Sequence, residues 1–181
     1  KNNQIIGCNF TNCTGTLGGG AIRLQGDDKN LVDNITIADC NFENCTAQQS
    51  AGAIYMNSPV RNVKLENNTF TNNQAPNHGA LFIDDAATIS SFVNNNFTNN
   101  SATASDGNGG AARLHVNINV ANSTFTANSC NGSGGAIYTS AAINVLGSTF
   151  ENNTAKSGGA IATENSNLAV DLSIFKYNKA E

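Results

Sequence analysis

Five cysteines, two histidines and thirteen acidic residues are the groups in this 181-residue sequence that could do chemistry. Their spacing decides what chemistry that would be. There is no Cys-x-x-Cys, and neither His78 nor His115 falls at a ligand-like spacing, so a zinc site is not expected. Asp27 with Asp28, and Asp84 with Asp85, lack the alternating oxygen donors of a calcium loop and read as solvated acidic turns. The glycines at 18 to 20 lack the Lys-Ser/Thr that follows a phosphate-binding loop, so they read as close-packed turns. No metal, cofactor or catalytic residue is therefore expected. Nine Lys plus Arg against thirteen Asp plus Glu leave a formal charge of −4, the wrong sign for phosphate backbones, and nucleic acid is not an expected partner. No apolar run approaches the roughly 18 residues of a membrane-spanning helix.

The elements that would carry these groups emerge from an internal repeat. Phenylalanine recurs at Phe10, Phe42, Phe70, Phe97, Phe125, Phe150 and Phe175, at intervals of 32, 28, 27, 28, 25 and 25 residues. A Gly-Ala pair recurs in the same register, ending at Ala21, Ala53, Ala80, Ala111, Ala136 and Ala160. Apolar residues fall five and seven places before Phe, as at Ile35 and Ile37 or Val63 and Leu65, the period of two of a strand with one buried face. Five places after Phe the residue is small: Gly15, Ala47, Ala75, Ala102, Cys130, Ala155 and Ala180. Another short strand follows each Gly-Ala pair, with Ile22 and Leu24 the first example.

Three short strands in about 25 residues cannot bury an apolar face within one repeat, whereas stacked copies can. The expected architecture is all-β: a single-stranded parallel β-helix, a solenoid of about seven coils with three short strands per coil, forming one domain over residues 1–181. Successive coils would lie about 4.8 Å apart, with like residues in ladders. Asn73, Asn100, Asn128, Asn153 and Asn178, three places after Phe, are expected to form a turn ladder in which stacked amides bond and Asn accepts a left-handed backbone.

Gly-Gly-Ala-Ile at 19–22, 134–137 and 158–161, paired with Phe-x-x-Asn from Phe70, Phe97, Phe125, Phe150 and Phe175, resembles the polymorphic outer-membrane protein repeat of chlamydiae. Similar repeats occur in adhesin-like surface proteins. The resemblance covers essentially the whole chain and implies a right-handed parallel β-helix displayed outside the cell, often in adhesion. Departures are Cys13 and Cys45 in place of Asn, and Ala51-Gly52 and His78-Gly79 in place of Gly-Gly.

Given that register, Cys8 with Cys40 and Cys13 with Cys45 become stacked neighbours. They are candidates either for disulfides joining the first two coils or for a reduced thiol ladder. Cys130, in the small-residue ladder, is expected as a buried free thiol. Asn-x-Ser/Thr sequons would admit glycosylation, with Asn12, Asn34, Asn44, Asn99, Asn131 and Asn152 as candidates. The binding candidates are Arg23, Tyr55, Phe82, Arg113 and Tyr138, each two places after a Gly-Ala alanine and expected to point outward. Such a column could offer a platform to glycans or to host or cell-surface proteins, or could stack on itself in cation–π pairs.

The leading expectation is an extracellular structural or adhesive module and not an enzyme. Its alternatives are a polysaccharide-binding or polysaccharide-cleaving β-helix and, third, an ice-binding solenoid. Charged residues make up only 12% of the chain, and the repeat register gathers no three acids in one column. Asn96, Glu43, Glu151 and Lys176 interrupt the outward threonines around Phe, against a regular ice-binding face. Lys1-Asn2-Asn3-Gln4 resembles neither a start nor a signal peptide. No polar cap is evident at either end, so the expected neighbours are flanking β-helix segments or other copies of the chain, stacked end to end into filaments.

Overall fold

The computed structural model describes residues 3–27, 29–57 and 59–181. Among them every regular element is a strand and none is a helix. The first circuit runs Asn3–Ile6, Asn9–Thr11, Thr14–Gly15 and Ile22–Gln25, and each strand pairs in parallel with its counterpart one repeat later. Four long sheets result. The first, second and third hold seven strands each and the fourth holds six; Val32–Asp33 and Val60–Arg61 add a two-stranded pair. The circuit therefore has four strands where the sequence suggested three. The extra strand is the two-residue stretch ending at the small inward residue. Two residues are too few to display an alternation, but stacked copies are enough to pair them.

The second sheet carries the phenylalanines. Phe42, Phe70, Phe97, Phe125 and Phe150 are fully buried. The seven rings form one continuous stack, with Phe70 and Phe97 centred 4.4 Å apart and the other neighbours 4.7 to 5.0 Å apart. Ile37, Leu65, Val120 and Val145 face them from the first sheet, and Ile54, Leu81 and Ile137 from the fourth. Each fully buried side chain of this size contributes roughly 1.5–3 kcal/mol. Glycine precedes the Ala that leads into each strand of the fourth sheet because the coils meet there backbone to backbone. A Cβ on Gly52 would lie 2.5 Å from the Gln74 nitrogen and 2.6 Å from the Cys45 oxygen.

Two turns flank every Phe strand. The outermost residues, including Asn67, Asn94 and Asn122 before Phe and Asn44, Asn72, Asn99 and Asn152 after it, have φ between 48° and 57°. Asn tolerates this left-handed region better than other non-glycine residues. The stacked amides are the next residues along. Asn100 Oδ1 accepts from the Asn73 backbone N–H at 2.9 Å and from Asn73 Nδ2 at 3.0 Å. Asn100 Nδ2 donates to the Phe70 carbonyl at 3.0 Å and to Asn128 Oδ1 at 2.9 Å. The pattern continues through Asn153 to Asn178. The two roles expected of one asparagine are thus divided between neighbours: the exposed one bends the chain, and the buried one ties coil to coil.

Candidate functional site

Alternation along the fourth sheet turns Leu24, Met56, Ile83 and Leu114 inward and the residue before each outward. Parallel pairing then sets Arg23 beside Tyr55, Tyr55 beside Phe82, Phe82 beside Arg113, Arg113 beside Tyr138 and Tyr138 beside Ala162. The five candidate binding residues therefore form one column across adjacent coils.

Their side chains stack along the solenoid axis. The Arg23 guanidinium lies 5.0 Å over the Tyr55 ring and is held by Gln25 Oε1, to which Nε and Nη2 donate at 3.1 and 2.8 Å. Tyr55 stacks on Phe82 at 5.0 Å. His78 stacks on Phe82 at 4.8 Å, and His115 meets the same ring edge-on at 5.6 Å. Arg113 Nε donates to His115 Nε2 at 2.6 Å while its guanidinium lies 4.9 Å over Tyr138, whose hydroxyl donates to the Glu164 carboxylate. Ring faces therefore meet ring faces and guanidinium planes. Phe82 and Tyr138 are only 9% and 8% exposed although they point out of the barrel. What faces solvent is the exposed Arg23, with half-buried Tyr55, Arg113 and His115.

Burial sets the protonation of this cluster. Desolvation, reinforced by the Arg113 charge, pushes His78 down to about 4, so its ring is neutral at pH 7 and its Nδ1–H points at the Asn108 carbonyl 3.4 Å away. His115 is lowered by the same two causes, against the pull of Asp84, Asp85 and Glu164. Burial raises Asp84 and also Tyr138, the latter helped by its bond to Glu164. The face thus offers guanidinium groups, aromatic edges and a neutral imidazole whose Nε2 is already engaged.

His78, His115 and Glu164 were not assigned to this face from sequence. One signal was available. Arg113 and His115 repeat the two-residue spacing of Arg23 and Gln25, the spacing that puts a polar partner beside an outward arginine.

The other candidates lie elsewhere. All five cysteines are free thiols. Cys8 and Cys40 are stacked, with the Cys8 N–H pointing at Cys40 Sγ at 3.4 Å, and Cys45 Sγ donates to the Phe10 carbonyl at 3.4 Å. Buried Cys130 points at the Gly134 carbonyl at 3.4 Å. Asn12, Asn34, Asn44, Asn99 and Asn152 are exposed at left-handed turns. Asn131 is exposed and donates to the Thr103 carbonyl at 2.9 Å. Asp27 caps its own turn, accepting from the Lys29 and Asn30 N–H groups at 2.9 and 2.7 Å, and Asp28 lies outside the described residues. Among the described residues no three of His, Cys, Asp and Glu are grouped to hold a metal ion.

Parallel strands stacked in four sheets about one axis define a β-solenoid. Residues 1–125 match the family model for the right-handed β-helix region, and the chain belongs to that family. Residues 122–140 and 147–164 match the Chlamydia polymorphic membrane protein repeat, in agreement with the Gly-Gly-Ala-Ile and Phe-x-x-Asn signatures they contain. No significant match was found among curated proteins or among solved structures.

Proposed function

We propose that this β-helix is a module displayed on a cell surface, that it adheres through the outer face of its fourth sheet, and that it acts without catalysis. The observation that carries the reading is the in-register column from Arg23 to Tyr138. Its rings and guanidinium groups are immobilised by one another, so a partner meets a surface whose ordering cost is already met. Arginine and tyrosine are also the side chains that most often dominate binding at interfaces. Surface display rests on the likeness of two repeats to the chlamydial membrane protein repeat. In this reading further coils, or second copies, continue the ladders end to end, and glycosylation of the exposed sequons is compatible with it.

The test is binding of the purified chain to glycan and cell-surface protein arrays, with Arg23→Ala and Tyr55→Ala beside the parent. Loss of a bound partner in both variants, with the circular dichroism spectrum unchanged, supports the reading. Binding that both variants retain removes the face from it. Release of unsaturated ends from acidic polysaccharides incubated with calcium would overturn the non-catalytic part.

A further inference from the structure

The first sheet is continuous except at one junction. Its neighbouring strands pair at three or four positions, but Ile89–Val93 and Ile118–Ala121 pair only at Val93 with Ala121. The cause lies in how Ile89–Val93 pairs with the strand before it, Val63–Glu66. Val63 pairs with Ile89 and Lys64 with Ser91, so Ser90 is an extra residue that bends the strand away from its following neighbour. A groove of about 540 Å³ occupies the opening, and a second of about 340 Å³ adjoins it through Ile89 and Asn117. Both lie within the roughly 300–1,000 Å³ of ordinary small-ligand sites.

The chemistry of the larger groove is uniform. Its polar side chains are Ser90, Ser91, Asn117, Asn119 and Asn144, its apolar floor includes Val93 and Ala121, and no charged residue lines it. Two of the carboxamides are fixed by residues of the next coil. Asn117 Oδ1 accepts from the Ala142 N–H at 3.0 Å, and Asn119 Oδ1 accepts from Asn144 Nδ2 at 2.9 Å. Each therefore keeps its Nδ2 donors for the groove, and Asn144 keeps its Oδ1 acceptor. The Ser91 hydroxyl adds a group that both donates and accepts.

We propose that this groove binds a neutral oligosaccharide. Sugar hydroxyls donate and accept at short intervals around a ring whose C–H face can rest on an apolar floor, which matches neutral donors and acceptors above Val93 and Ala121. An anionic chain finds no cation in the larger groove to repay its desolvation, and a cationic chain finds no carboxylate there. The smaller groove adds Asp85, Thr88 and His115, so one end of a bound chain reaches a carboxylate and an imidazole. The larger groove shares no residue with the Arg23–Tyr138 face, and only His115 of the smaller groove packs on Phe82, so the two assignments can fail independently.

The experiment is saturation-transfer NMR and calorimetric titration of the purified chain with neutral hexose tetrasaccharides, N-acetylhexosamine tetrasaccharides and uronic-acid tetrasaccharides. A neutral probe is expected to bind. Exposed Asn119→Ala should weaken it about tenfold, the scale of one or two neutral hydrogen bonds. Ser91→Trp, which fills the groove, should abolish binding. The proposal is overturned if no neutral probe binds at millimolar concentration or only the uronic-acid probe does. Survival of binding in folded Ser91→Trp and Asn119→Ala would also overturn it.

Discussion

Replacing Asn100 by alanine tests the buried amide ladder directly. The asparagine is fully buried and makes four hydrogen bonds through its side chain, two as acceptor and two as donor. Alanine removes the acceptor of the Asn73 N–H and the Asn100 Nδ2 donor to the Phe70 carbonyl. Asn73 Nδ2 keeps its bond to the Phe42 carbonyl, and Asn128 Oδ1 keeps the Asn100 N–H. The buried Asn73 N–H is thus stranded and the Phe70 carbonyl keeps only its strand ladder, for an expected loss of about 1–3 kcal/mol. Asn100→Ser should lose less. Serine already fills the companion ladder before Phe, where Ser148 Oγ accepts from the Ser123 N–H at 3.1 Å, so it restores the Asn73 acceptor but not the donor to Phe70. Urea denaturation gives the stability ranking, parent above serine above alanine, and amide hydrogen exchange at Asn73 reports the stranded donor. A loss below about 1 kcal/mol for alanine, or equal losses for the two variants, would refute the claim that the ladder holds the coils together.

Two further outcomes follow from single positions. With His78 held at about 4 in the fold against 6.5 in the open chain, the unfolded state binds the extra proton between those values. The contribution of His78 to stability is therefore flat above pH 6.5 and falls by about 3 kcal/mol as the pH drops to 4. His78→Phe keeps the ring on Phe82 without the proton and should flatten that slope in denaturation measured across pH, and an unchanged slope would sink the assignment. Ala127 stands at φ 55° where five of the six equivalent positions carry asparagine, so Ala127→Gly should raise stability by about 1 kcal/mol and the melting temperature by about 2–4 °C. A lower melting temperature would show that the turn is not strained.

The repeat was legible because its marker, phenylalanine, is large, apolar and placed once per circuit, so even intervals of 25 to 32 residues kept the register visible. The column from Arg23 to Tyr138 followed from the same register plus alternation. The two-residue strand was not legible, since Thr14–Gly15 has no pattern of its own and exists only through its neighbour Thr46–Ala47. Nor was the division between Asn72 and Asn73, because the same residue type serves at both positions for different reasons. His78 and Glu164 reach the fourth-sheet face from flanking turns, whose directions no periodicity encodes. The opened ladder at Ser90 is a single extra residue in a repeat of already uneven length, and sequence cannot separate a bulge from a longer turn.

A solenoid built this way leaves chemistry few places to go. An inward residue touches its own kind in the coils before and after it, so changing one disturbs three. The cysteines show what the ladder tolerates. Cys45 directs its thiol to the Phe10 carbonyl at 3.4 Å, where Asn73 in the next coil directs Nδ2 to the Phe42 carbonyl at 3.0 Å. The thiol copies one amide contact but has a single proton, so the ladder there is held by a weaker and solitary donor. Burial also pushes the Cys45 thiol up to about 11 and raises Cys40 and Cys130, which keeps these three as thiols at neutral pH and removes them as nucleophiles. Interior groups able to react are thus silenced by the stacking that makes the fold stable. In the proposed reading, recognition falls to outward columns and to breaks in the ladders, here the fourth-sheet face and the groove beside Ser90.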